Sequence, residues 1–135
     1  MNVLPGQVIL RAALAYFAVT FAVAFLLGVL RVLVIAPLIG PVAAVMLEVP
    51  VILAVSWGVA GRVLRRWPVA AGGTGALRAM GALAFAFLML AEAGLAVLAF
   101  GRPPGAWLAS LATLDGAIGL AGQLSFGLIP WLRGR

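Results

Sequence analysis

From residue 12 to residue 35 the chain carries a single charged side chain, Arg31. The same pattern recurs along the sequence. Residues 42–61 hold only Glu48, residues 77–100 hold only Arg78 and Glu92, and residues 116–132 hold no charge. A helix needs about 20 consecutive apolar residues to cross the hydrocarbon of a bilayer, and no soluble helix would leave all its faces apolar. Only 9% of the 135 residues are charged, against about a quarter in soluble domains. The expectation is an all-α, polytopic integral membrane bundle in one domain, with spans at about 12–35, 42–61, 77–100 and 116–132. The last is near the shortest length that spans.

The segment boundaries carry their own signals. Pro37, Gly40 and Pro41 predict a tight turn after the first span. Arg62, Arg65, Arg66, Trp67 and Pro68 close the second, and Gly72, Gly73 and Gly75 read as a flexible link. Gly101-Arg-Pro-Pro-Gly105 closes the third. In the stretch after it, Trp107, Leu108, Leu111 and Leu114 fall at helical spacing, and Pro104 suits a first helical turn. This predicts a short interfacial helix before the last span, with Asp115 capping that span. The rival reading is one long, tilted fourth helix beginning near Pro104.

Arginine placement sets the expected orientation. Arg11, Arg62, Arg65, Arg66, Arg78, Arg133 and Arg135 fall on one side. Arg102 falls on the other, with Arg31 nearer to it. Both termini are therefore expected in the cytoplasm, and the first apolar stretch is too long for a cleavable leader. The net charge of +6 comes from nine arginines and no lysine. At the ends of apolar runs these residues read as topology signals and anionic-headgroup contacts, Arg62, Arg65, Arg66 and Arg78 above all, and not as a nucleic-acid surface. An Arg-, Ala- and Gly-rich chain without lysine fits a GC-rich bacterial genome, hence a bacterial inner membrane.

Cysteine and histidine are both absent. Disulfides, thiolate chemistry and the commonest general base and metal ligand are thereby excluded, and no nucleophile-base set points to an enzyme, a cofactor or a metal. Ser56 has no activating base and is expected to bond its own helix backbone. Trp57, Trp67, Trp107 and Trp131 read as interfacial anchors.

The chemistry is concentrated in the few polar residues inside the spans, which are costly there and usually face protein or water. With a rise of about 1.5 Å per residue, Arg31 and Glu48 each lie about 12–13 Å from a turn centred near Ile39. Glu92 precedes Gly101 by a similar number of residues, and Gln123 follows Asp115 likewise. All four helices thus bring one polar residue to nearly one depth. Thr20, Ala24 and Gly28 share the face of Arg31, and Gly116, Gly119 and Gly127 share that of Gln123, so these read as packing faces inside the bundle. An Arg31–Glu48 ion pair is expected to lock the first hairpin. Pro50 removes the amide that would bond the Met46 carbonyl, can kink the helix, and leaves an acceptor near Arg31. With one arginine to two glutamates, one carboxyl is expected to hold a proton that can be donated to Gln123; Glu92 is that carboxyl by charge count.

The run Arg31-x5-Pro37-x2-Gly40-x7-Glu48-x-Pro50, with Ser56-Trp57, Arg62, Arg65, Arg66, Glu92 and the final apolar helix, resembles a group of short bacterial four-helix inner-membrane proteins with no assigned function. That resemblance covers most of the chain and implies a fold without an activity. Similarity to small multidrug transporters is confined to size and helix number; those carry their glutamate in the first helix, where this chain has none. Two function classes follow. One is an accessory or scaffolding membrane protein that packs against a partner or a second copy. The other is a minimal proton- or cation-linked transporter or channel, working as an oligomer around Arg31, Glu48, Glu92 and Gln123.

Overall fold

The structure, a computed structural model, describes residues 5–135. Among these the secondary structure is entirely helical. Helix α1 (Pro5–Leu30) runs through a π-helical segment, Arg31–Ile35, into the single turn α2 (Ala36–Ile39). Helix α3 spans Pro41–Arg66, and a 3₁₀ turn at Val69–Gly72 leads into α4 (Gly73–Gly94). A second π segment, Leu95–Ala99, extends α4; α5 (Pro104–Ser110) and α6 (Leu114–Gly134) complete the chain. Three continuous helical runs, Gly6–Ile39, Pro41–Arg66 and Val69–Ala99, are long and apolar enough to cross a membrane, and α5 with α6 makes a bent fourth candidate.

Several boundaries differ from the sequence expectation. Pro37 does not end the first helix. The Ala36 amide reaches back five residues to the Arg31 carbonyl, and this wider register makes room for a ring that would crowd the carbonyl four residues earlier in an α-helix. The turn falls on Gly40 alone, whose φ of 89° is open to glycine and strained for other residues. The glycines at 72, 73 and 75 do not form a loose link: Gly72 ends the 3₁₀ turn, and Gly73 and Gly75 already belong to α4. The rival reading of one long, tilted helix from near Pro104 is not what forms: α5 and α6 are separate helices with an 84° bend between them. Asp115 is not the cap of α6. Thr113 holds that position, its hydroxyl oxygen accepting from the Gly116 amide at 3.2 Å, and Asp115 lies in the first turn, where its charge suits the helix dipole.

The helices pack in a ring, α1 against α3 and α4, and α6 against the same two. Close approach of α4 and α6 depends on two glycines. A Cβ on Gly81 would fall inside the Gly127 carbonyl, and one on Gly127 would meet the Phe85 side chain. Small residues let helix backbones approach this closely.

Packing is uneven along the bundle. The core joins Ala12, Ala13 and Tyr16 of α1 to Ala60 and Val63 of α3, Leu77, Met80, Ala84 and Leu88 of α4, and Phe126 and Ile129 of α6. All of these except Leu88 lie in the half nearer the arginine-rich end. Beyond Thr20 the first helix has no buried residue. Its π segment packs beside α3, whereas that of α4 packs towards α5. The ends near Arg102 therefore diverge.

Candidate functional site

Where the helices diverge, they carry the four polar residues of the apolar runs, Arg31, Glu48, Glu92 and Gln123. Arg31 opens the first π segment, and its Nε donates to Glu48 Oε2 of α3. Glu92 lies one turn before the second π segment, and Gln123 Nε2 of α6 donates to its Oε1 at 2.6 Å. Two polar cross-links thus tie α1 to α3 and α4 to α6. All four residues border one chamber, so the two cross-links are neighbours. π-helical turns often mark functional positions, and here each borders one acidic cross-link.

The layer is not sealed. Arg31, Glu48, Glu92 and Gln123 form the base of a cavity of about 660 Å³ that reaches Arg102, Trp107 and Asp115 at the divergent end. Its volume falls in the range of small-molecule sites. A smaller chamber of about 130 Å³ shares the four layer residues and extends deeper, to Thr20, Ser56 and Phe126. We call the two the vestibule and the inner chamber. The Arg31 and Glu48 side chains are 29% and 16% exposed, consistent with a pair facing this open space. The Ala24–Gly28 face of α1, expected to pack against another helix, lines the vestibule. On α6, Gly127 packs against α4 as a small residue should, while Gly116 and Gly119 line the vestibule with Gln123.

Below the inner chamber the bundle closes. Tyr16, 0% exposed, donates its phenolic hydrogen to the Phe126 carbonyl at 2.6 Å, and the two rings stack with centroids 4.4 Å apart. Pro130 explains why that carbonyl is free: it lies four residues on, inside α6, and has no N–H to offer. The sequence reading missed both. The signal was present, in the sole tyrosine of the chain and a proline within a helix. The corresponding vacancy at Pro50 is unused by Arg31, which donates to Glu48 and not to the Met46 carbonyl; Pro50 itself faces outward on an α3 that runs unbroken to Arg66. Ser56 donates to the Ile52 carbonyl of its own helix at 2.7 Å.

Charge is distributed with equal asymmetry. All three carboxylates of the chain, Glu48, Glu92 and Asp115, line the vestibule, with Arg31 and Arg102 the only arginines among them. Arg62, Arg65, Arg66 and Arg78 are exposed at the packed end. There Arg78 stands 4.7 Å from the Trp131 ring centre, Arg66 5.1 Å from Trp67 and Arg133 5.4 Å from Trp57, a belt in which cation–π attraction fixes the guanidinium groups.

Among the described residues no group of three or more His, Cys, Asp or Glu is placed to hold a metal ion. Compared with known protein families, curated proteins and solved structures, the chain finds no match.

Proposed function

We propose that the chain is a multi-pass protein of the bacterial inner membrane, with both termini in the cytoplasm, that takes a small cationic solute from the outer face and works as a minimal proton- or cation-linked transporter. The observation that supports this is the vestibule. A route about 660 Å³ in volume leads from the end opposite the arginine belt to the polar layer, and it gathers every side-chain carboxylate in a chain of net charge +6. A purely structural layer needs no such route. Acidic lining with low-dielectric walls concentrates cations, and intramembrane ionisable groups commonly mark ion or substrate pathways. The exposed arginines Arg62, Arg65, Arg66 and Arg78 would meet anionic headgroups on the cytoplasmic side.

One observation favours the accessory reading. Each of the four layer residues has a partner within the chain, Arg31 with Glu48 and Gln123 with Glu92, as a layer built only to hold helices together would. The two readings differ in whether water reaches the layer. The chain contains no cysteine, so single cysteines can be introduced at Gly28, in the vestibule, at Leu38, exposed near the outer turn, and at Ala84, fully buried. In intact spheroplasts a membrane-impermeant maleimide should label positions 28 and 38 and leave 84 unmodified. Labelling at 38 without labelling at 28 would mean a dry layer and would favour the scaffold.

A further inference from the structure

We infer that the solute is a primary amine in its ammonium form, held with its –NH₃⁺ head in the inner chamber among Glu92, Gln123 and Thr20 and its apolar tail in the vestibule. This deepens the reading of the vestibule as a cation route and rests on it.

The head is identified by unmet acceptors. Thr20 is only 4% exposed, yet its hydroxyl oxygen has no hydrogen-bond partner. Gln123 Oε1 is also buried and unpartnered, its amide nitrogen being committed to Glu92. A buried polar atom without a partner costs free energy, and such atoms call for an explanation. Both residues line the inner chamber, and so does Glu92. Beside the Arg31-paired Glu48, the chamber therefore offers two neutral oxygen acceptors and one further carboxylate. A primary ammonium has three N–H donors and one positive charge. It satisfies both orphan oxygens and neutralises the one carboxylate that no arginine pairs. A quaternary ammonium has the charge without the donors, and an alcohol has a donor without the charge.

The tail is identified by the vestibule wall. Phe21, Phe25, Phe100 and Trp107 line it with aliphatic residues between, which suits an aromatic or short aliphatic group. The charged groups that share the inner chamber with Glu92 are Arg31 and Glu48, paired with each other, while Asp115 and Arg102 stand further out in the vestibule. When the amine arrives as R–NH₃⁺ at a protonated Glu92, the carboxyl proton leaves through the vestibule to water, and charge balances with one cation exchanged for another.

An ammonium of this kind could belong to a soluble amine or to an ethanolamine lipid headgroup, and the test separates them. The full chain is placed in nanodiscs of phosphatidylcholine and phosphatidylglycerol, and equilibrium dialysis measures 2-phenylethylamine, its N,N,N-trimethyl analogue and 2-phenylethanol. The amine should bind saturably and about tenfold or more tighter than the trimethyl analogue, since a hydrogen bond to a charged group is worth at least about tenfold. Thr20→Val, nearly isosteric, should weaken the amine by about tenfold and leave the trimethyl analogue unchanged. Glu92→Gln should abolish saturable binding of the amine. Competition by added phosphatidylethanolamine assigns the ammonium to a lipid headgroup; an unchanged affinity assigns it to a soluble amine. Equal binding of the amine and its trimethyl analogue, or a Thr20→Val protein that binds the amine like the parent, overturns the inference. If that happens while Gly28→Cys is still labelled from outside, the outer route stands and only the identity of its solute is wrong.

Discussion

Tyr16 and Phe126 meet across the diagonal of the bundle, ring on ring and hydroxyl on carbonyl, 110 residues apart in sequence. The carbonyl is available because Pro130 cannot donate to it. Tyr16→Phe keeps the stacking and leaves the carbonyl orphaned, which should cost about 1–3 kcal/mol. Pro130→Ala restores a helical donor to the same oxygen. We therefore expect Tyr16→Phe to cost clearly less in the Pro130→Ala background. Thermal unfolding of the four proteins in one detergent measures this coupling, and simple additivity would show that the two residues do not share that oxygen.

The Arg31–Glu48 pair is partly open to the vestibule, so its loss should fall between the values for surface and buried pairs, about 2 kcal/mol for Glu48→Gln. Arg31→Met combined with Glu48→Gln removes both charges and should recover much of that loss. A double variant as unstable as the sum of the single variants would mean that the pair does not hold the first hairpin.

Glu92 has only a neutral amide and no cation bonded to it, since Arg31 is taken by Glu48. We predict that in the absence of solute it carries a proton at neutral pH. Infrared difference spectra across a pH titration should show a buried carboxylic-acid band that disappears in Glu92→Gln. A band that survives there and disappears in Glu48→Gln would mean that Arg31 serves Glu92 in the membrane.

The proposed orientation rests on seven arginines expected on one side. A reporter fused after Arg135 should read cytoplasmic, and one inserted at Arg102 should read periplasmic. Equal populations of both orientations would contradict the assignment and point to a dual-topology assembly.

Much of this architecture is legible in the sequence, for simple reasons. Apolar runs of membrane length leave little choice but helices, and a rise of 1.5 Å per residue is enough to bring Arg31, Glu48, Glu92 and Gln123 to one level. What was not legible depends on contacts distant in sequence or on small changes of helical register. The π segment that lets Pro37 stay helical depends on an amide reaching Arg31 in place of Val32. Thr113 wins the cap over Asp115 through a backbone conformation that composition does not encode. The pairing of Tyr16 with the Phe126 carbonyl requires knowing that α1 and α6 lie diagonally across the ring. The vestibule is hardest of all to foresee, because Ala24 and Gly28 on α1 look the same in sequence whether they touch another helix or border a cavity.

The depth of Glu92 has an electrical consequence. The residue stands nine positions short of Gly101, about 13 Å along its helix. On the proposed topology the arriving ammonium and the departing proton cross the same part of the membrane's field in opposite directions, so no net charge moves through the voltage drop. Filling of the inner chamber should therefore follow the outside pH, rising as the pH rises, and collapsing the membrane potential at fixed pH should leave it unchanged.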